Sequence, residues 1–482
     1  MTRRPPNLEI ELGVGETLAD LEISGAWVVD PARGRVGLGD VVVEDGILVA
    51  VRWREGETPP GTPSSDEVPV VVAPGFVDLH VHLREPGNED AETVATGLAA
   101  AAHGGFTAVC AMGNTDPPSD DPAVVARVRE AARRSGSPVN LLPYGTVSRG
   151  RAGELLAPLG ELADAGVVGF SDDGAPVRSA GLLRQALLYA GMVGLPVVDH
   201  PEEASLTEGA EAHEGLVATI LGLRGWPAAA EVAAVARDLA VLEEALRDEP
   251  RARLHLTHLS TARSIDLVRQ AKAAGLPVTC DVTPHHLALT DRWLLGDRRW
   301  AWEVAPGEPV FQPAAFAADG KRYDPHCRVN PPLRPPADAL ACLAGLADGT
   351  VDAVATDHAP HRRVDKEVEF GLAAPGLSGL ETALGILLEA VEAGRIDLLR
   401  AITVLTTGPA GVLGGRLGRP AGLEEGEAAN LVVFDRRASW LVNPESLQSK
   451  GKNTPLLGRQ LPGRILLTVA GGRIAHADLP AA

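Results

Sequence analysis

The sequence predicts an α/β protein: a (β/α)8 TIM-type barrel with a small β-sandwich domain built from both chain ends. Three observations lead there. Eight apolar segments alternate with Ala-, Leu- and Arg-rich segments of helical spacing between residues 73 and 420. Most of the apolar segments show no inside–outside alternation, as expected of parallel strands covered on both faces. Short strand-like runs separated by turns occupy the two ends, 1–72 and 421–482. Strand–helix alternation of this kind marks a parallel α/β architecture. A doubly wound open sheet is the structural alternative, but no Gly-x-Gly-x-x-Gly follows the first strand.

The elements follow in order. Runs at 21–29, 41–43, 47–51 and 68–72 read as strands, and Asp45-Gly46 is a hairpin signal. Residues 57–67, rich in Pro, Gly, Ser and Thr, read as a loop. Barrel strands are expected at 75–83, 106–112, 139–145, 167–173, 196–200, 254–260, 277–284 and 351–358. Helices are expected at 121–134, 228–246 and 262–274 among others, because their apolar residues recur at helical spacing. Residues 287–337 interrupt the alternation and are expected to form an excursion at one barrel rim. Strands return at 429–434 and 465–470, followed by Gly471-Gly472.

Composition narrows the function. The chain has 482 residues and a net charge of −20, which argues against nucleic acid or an anionic membrane as partner. An anionic substrate would need a local cationic pocket, which screening over about 8–10 Å permits. Cys110, Cys280, Cys327 and Cys342 form no Cys-x-x-Cys pair, so a reducing cytoplasm is expected. The N-terminus lacks the apolar core of a signal peptide, and no apolar run has the roughly eighteen residues needed to cross a bilayer.

The chemistry is expected at strand ends. His80 and His82 close the first barrel strand, and alternate residues of a strand share a face about 6.6 Å apart. Two imidazoles on one face can converge on one metal ion, and Arg84 follows on the same side. Catalytic groups in such barrels sit at the C-terminal ends of the strands. Those ends carry His80 and His82, then Asn114, Asp172-Asp173-Gly174, His200, His258 and Asp357-His358. Each is weak alone: an Asp there is as often a helix cap, and a lone His is more often a hydrogen-bonded core group. Six N/O donors at five strand ends are hard to assemble by chance. Four His and two Asp exceed one tetrahedral zinc. They suit two divalent ions about 3.5–4 Å apart, sharing a carboxylate and a hydroxide. Such ligands suit Zn²⁺ first, with Mn²⁺ or Fe²⁺ open.

Several unlinked segments then resemble one family. They are His-Leu-Arg-Glu-Pro-Gly (82–87), Ser-Asp-Asp-Gly (171–174), His-Leu-Thr-His-Leu-Ser (255–260) and Thr-Pro-His-His (283–286). Asn-Pro-Pro-Leu-Arg (330–334), Ala-Thr-Asp-His-Ala-Pro-His (355–361) and Ser-Lys-Gly-Lys-Asn-Thr-Pro (449–455) follow in that family's order. The chain resembles, over roughly 20–475, the class I dihydroorotases of the amidohydrolase superfamily. The resemblance implies that His80, His82 and Asp357 hold one metal, that His200 and His258 hold the other, and that Asp173 bridges. Asp172 is then assigned a capping or supporting role. Many superfamily members bridge with a carboxylated lysine, but no lysine precedes Lys272 here. The implied reaction interconverts dihydroorotate and N-carbamoyl-aspartate in pyrimidine synthesis. A metal-bridging hydroxide attacks, and Asp357 serves as base and then acid.

Arg84, Asn114 and His361 resemble the family's carboxylate-binding residues, and Asn330 a substrate-contacting one. Plainer readings stand beside them: a salt bridge from Arg84 to Glu85 or Glu89, turn residues at Asn114 and Asn330, an exposed loop histidine at His361. His285 and His286 read as supporting or structural. Departures from the family pattern are Gly113 in place of proline, Pro-Glu-Glu after His200, and a longer stretch between Thr290 and Val329. Competing functions are another cyclic-amide hydrolase (hydantoinase, dihydropyrimidinase or allantoinase) and a scaffold subunit for aspartate carbamoyltransferase. The missing lysine and Arg84 weigh against the first, and retention of all six donors weighs against the second. The resemblance also implies a homo-oligomer, a dimer by default, and allows association with that transferase.

Overall fold

The computed structural model describes residues 13–54, 68–310 and 322–478. The loop expected at 57–67, the extreme N-terminus and part of the 287–337 excursion lie outside the described residues.

One seven-stranded sheet joins the two ends of the chain. Its order is Arg473–Ala477, Arg464–Ala470, Leu431–Asp435, Val70–Pro74, Leu21–Asp30, Arg35–Glu44, Ile47–Trp53. Neighbours run antiparallel except Leu21–Asp30 beside Val70–Pro74. Asp45 and Gly46 both have positive φ, 46° and 78°, the requirement of the tight two-residue hairpin that their sequence signals. A Cβ at Gly46 would also lie 2.7 Å from Gly472 O, so the position admits only glycine. Alternate residues serve two cores. Val28, Val72 and Val433 join a cluster of the sheet's own, while Val29, Val71 and Phe434 join the main core beneath.

Seven further strands are parallel and lead from one to the next. Phe76–Val81, Phe106–Ala111 and Asn140–Pro143 pair in that order. Single bridges, Gly145 to Phe170 and Phe170 to Val197, carry the pairing onward. Val197–Asp199, Leu254–Leu256, Val278–Val282 and Ala353–Val354 follow. A parallel bridge from His358 returns to Val81. The strand expected at 167–173 is reduced to the bridge at Phe170. Beyond it the chain turns, with Ala175 N donating to Asp172 O, and Asp172 becomes a cap rather than a strand residue.

Helices separate the strands where their signals lie. Asp121 accepts from Ala123 N to start Pro122–Ser135, and Gly136 ends it at φ 71°. Thr261 caps Ala262–Ala273, and Ala229–Ala245 falls within its expected range. The 287–337 excursion is packed rather than free at its described ends. Trp293, Trp300, Val329 and Leu333 form an apolar cluster with Val442, Leu447, Leu456 and Leu461 from the C-terminal segment. Arg459 lies over the Trp300 ring at 3.6 Å. No helix among the described residues is long and apolar enough to cross a membrane.

Candidate metal centre

Six side chains expected to ligate converge where the parallel strands end. His80 is the last residue but one of Phe76–Val81 and His82 follows that strand, with their Nε2 atoms 3.2 Å apart. His200 follows Val197–Asp199, His258 follows Leu254–Leu256, and Asp357 lies beyond Ala353–Val354. All are buried. Asp357 Oδ1 lies 3.0 Å from His82 Nε2 and 3.4 Å from His80 Nε2. His200 Nδ1 and His258 Nε2 are 2.8 Å apart.

Asp173 stands between the two groups and turns one oxygen to each. Its Oδ2 lies 3.3 Å from His80 Nε2 and 3.4 Å from His82 Nε2. Its Oδ1 lies 3.3 Å from His200 Nδ1 and 3.4 Å from His258 Nε2. Asp172 points elsewhere: its Oδ1 accepts from Val147 N at 2.9 Å and Ser148 N at 3.1 Å, and Oδ2 accepts from Ser148 Oγ. Ligand atoms of His80, His82 and Asp357 lie within 4.8 Å of one another, as do those of His80, Asp173 and His258.

The outer nitrogens show which lone pairs face inward. Thr257 Oγ1 sits 2.8 Å from His80 Nδ1 and itself donates to Asp281 Oδ2 at 3.1 Å. The hydroxyl oxygen therefore accepts from Nδ1–H and leaves Nε2 as the free lone pair. Asn114 Oδ1, 2.9 Å from His82 Nδ1, does the same for His82. Glu202 Oε2, 2.9 Å from His200 Nε2, fixes the opposite tautomer, so Nδ1 faces the cluster. Oxygen acceptors behind histidines aim their lone pairs at a metal in this way.

Convergent lone pairs this close repel unless a cation stands among them. In the chain alone, protons take that place. Burial would lower the His80 imidazole, but the Asp173 and Asp357 carboxylates outweigh it and raise it to about 9. His200 is likewise pushed down by burial and up, more strongly, by Asp173 and Glu202, to about 10. Burial raises the Asp173 and Asp357 carboxyls, but the surrounding imidazoles, His80 foremost, hold both below the usual range. Imidazole nitrogens and carboxylates with inward lone pairs are the donors that divalent zinc-like ions take. The residues present fit a metal centre.

Backbone strain collects here. Arg84, His258 and Asp357 have φ of 60°, 41° and 46°, a region costly for residues with side chains and tolerated where surroundings enforce it. His258 is held by Asp281 Oδ1, which accepts its N–H at 2.7 Å.

Of the four residues expected to meet substrate, Asn114 touches His82, Asn330 touches the Glu202 partner of His200, and Arg84 and His361 lie side by side. Arg84 is half-buried, and desolvation lowers its guanidinium from the usual value. Its Nε donates to Pro360 O at 3.1 Å, and Nη2 lies 3.4 Å from His361 Nε2. Glu85 and Glu89 instead accept from Val94 N and Gly87 N. His361 Nε2 donates to Pro375 O at 2.8 Å, and burial beside Arg84 lowers its imidazole to about 3, so it is neutral at pH 7. Asn330 Nδ2 donates to Glu202 Oε2 at 3.1 Å, while its Oδ1 is buried without a partner. His286 bonds Thr283 and Pro331 O, whereas neither ring nitrogen of the buried His285 has a partner among the described residues.

Thr257, Glu202 and Asp281 were missed in the sequence. Glu202 carried the one usable signal, a carboxylate two residues after a candidate ligand.

Comparison with known proteins extends the picture. Residues 70–262 match a family model described as Dihydro-orotase-like. A protein named Dihydroorotase from Anaeromyxobacter dehalogenans (strain 2CP-C) is 47% identical over 95% of this chain and 98% of its own. One of the same name from Pelotomaculum thermopropionicum is 43% identical over 95% and 99%. Among solved structures, the L-hydantoinase (dihydropyrimidinase) from Arthrobacter aurescens superposes with a TM-score of 0.76 at 24% identity, covering 96% of this chain and 98% of that one. The D-hydantoinase from Thermus sp. gives 0.70 at 22%, covering 95% of each. At those identities the structures speak for the fold alone.

Proposed function

The chain belongs to the dihydroorotase family, and from that membership we propose that it interconverts (S)-dihydroorotate and N-carbamoyl-L-aspartate at the centre around Asp173. The single observation that carries the reading is the Asp173 carboxylate, with one oxygen toward His80 and His82 and the other toward His200 and His258. That arrangement supports two divalent ions, Zn²⁺ first. His80, His82 and Asp357 would hold one, His200 and His258 the other, and Asp173 both. When bound, such ions acidify water and polarise an amide carbonyl.

The chain's own groups supply the rest. Asp357 is held in a strained backbone and kept ionised, so it can take the proton of the attacking water. It can then return that proton to the departing ring nitrogen, base first and acid second. Arg84 offers a planar fork to the ring carboxylate, which a lysine would not match. Asn114 spends its oxygen on His82, so its Nδ2 is the group left for that carboxylate. His361 would exchange its bond to Pro375 O for the same anion. Asn330 spends its amide on Glu202, and its free Oδ1 suits a ring N–H.

The closed run of parallel pairings supports a (β/α)8 barrel over about 73–420, and the two-core sheet supports a sandwich-like domain from both ends. The substrate is a small anion. A cytoplasmic setting, pyrimidine biosynthesis, a homodimer and association with aspartate carbamoyltransferase belong to the same reading and rest on the family resemblance. The test is hydrolysis of dihydroorotate beside hydantoin, dihydrouracil and allantoin by one metal-assayed preparation. Turnover confined to dihydroorotate is expected. Preference for a ring without a carboxylate would move the substrate assignment away from Arg84.

A further inference from the structure

We infer that Asn453, from the C-terminal segment, is a positioning residue that sets the carboxylate-binding pair Arg84 and His361. The inference rests on the dihydroorotase reading of that pair.

Asn453 is buried, and all four of its side-chain hydrogen-bonding positions are used. Oδ1 accepts from His361 N at 2.8 Å and from Ser378 Oγ at 3.2 Å. Nδ2 donates to Ala359 O and to Gly376 O, each at 3.1 Å. Two of these bonds bracket Pro360, one residue on each side. Pro360 O in turn accepts from Arg84 Nε at 3.1 Å. One amide thus fixes the backbone that carries His361 and the carbonyl that aims Arg84. It also fixes Gly376, next to Pro375, whose oxygen holds the His361 ring.

The chain is shaped for this contact. A Cβ on Gly451 would lie 2.9 Å from both Asn453 Oδ1 and His361 N, and one on Gly376 would lie 2.6 Å from Ala359 Cβ. The segment is anchored on its far side, where Glu92 accepts from Ser449 Oγ at 2.6 Å and from Lys450 N at 3.2 Å. No bond joins Asn453 to a candidate metal ligand among the described residues, so its effect falls on substrate binding.

The experiment compares Asn453→Asp, Asn453→Ala and Asn453→Ser in the full-length metal-loaded protein, each also combined with His361→Ala. Asp is isosteric but puts lone pairs against the carbonyls of Ala359 and Gly376. An orphaned buried bond predicts a KM for dihydroorotate raised about 10- to 100-fold, with kcat within about threefold and metal content unchanged. The Asn453 effect should be smaller in the His361→Ala background, because part of it passes through that ring while the part through Arg84 remains. Unchanged KM, a loss confined to kcat, or full additivity with His361→Ala would overturn the proposal. Amide exchange at His361 is read in parallel, and should quicken in Asn453→Ala, which removes the oxygen that accepts its N–H. If the wild-type protein does not turn over dihydroorotate, the functional reading fails by itself. Exchange then decides the positioning role alone, and unchanged exchange refutes it.

Discussion

At the scale of the residue, the centre is a competition between burial and charge. Six candidate ligand side chains are removed from water, which alone would neutralise each one. Mutual contacts reverse the outcome for His80 and His200, which are raised, and for Asp173 and Asp357, which are lowered, while burial keeps His82 below its usual value. A pH prediction follows for metal-stripped protein. His80 at about 9 and His200 at about 10 lie above the unfolded imidazole value of roughly 6.5. Their stabilisation is complete below that value and is lost as the pH rises through 9 and 10. Stripped protein should therefore lose Tm between pH 7 and 10 relative to metal-loaded protein, as scanning fluorimetry would show. A Tm gap that is constant over that range would refute the protonated cluster. Asp357 separates ligation from proton transfer. Asp357→Asn keeps an oxygen near His82 but cannot carry the proton. It should retain much of the metal and lose turnover by about 10²- to 10⁴-fold. Near-normal turnover would remove Asp357 from the proton path. The convergence of these side chains was legible because each His or Asp closes or follows a strand-like run, and strand ends are where such folds do chemistry. Thr257 was not, because it meets His80 across 177 residues and a threonine in a strand carries no signal of its own.

At the scale of the element, segments beyond the strands hold the site. The stretch after His361 returns to the core through Lys366, whose buried Nζ donates to Arg328 O, Ala374 O and Gly376 O at 3.2, 2.8 and 2.9 Å. Burial lowers this lysine to about 7. Gly376 O receives both Lys366 and Asn453, so the loop and the C-terminal segment share an anchor. Lys366→Met keeps the apolar stem and abandons three carbonyls. It should cost about 2–4 kcal/mol of stability in denaturant unfolding. A change below about 0.5 kcal/mol would mean that the loop carries little of the fold's stability. Helix limits were readable to within a residue or two where a cap marks them, as at Asp121 and Thr261. The strand at 167–173 was overestimated because Asp172 leaves the ladder to cap Val147 and Ser148, a bond that no local periodicity encodes.

At the scale of the whole molecule, one idea organises the chain. Parallel pairings run from Phe76–Val81 round to His358 and back to Val81, bringing distant strand ends to one place. Asp78 helps close the circuit, accepting from Thr356 N at 3.0 Å across 278 residues. The sheet from the two chain ends was legible because short strand-like runs bounded by turn signals occupy both ends and its hairpin is spelled Asp-Gly. The packing of the excursion against residues 440–461 was not, because it depends on Trp293 and Trp300 meeting side chains more than a hundred residues away. Under the proposed function, this convergence builds a centre for two ions bridged by Asp173. The most direct test titrates Zn²⁺ into metal-stripped protein while following dihydroorotate hydrolysis and bound metal together. Turnover should climb to a plateau at about two ions per chain, and Asp173→Ala should abolish the plateau. Full turnover at one ion per chain, or with Asp173 removed, would contradict the bridged centre.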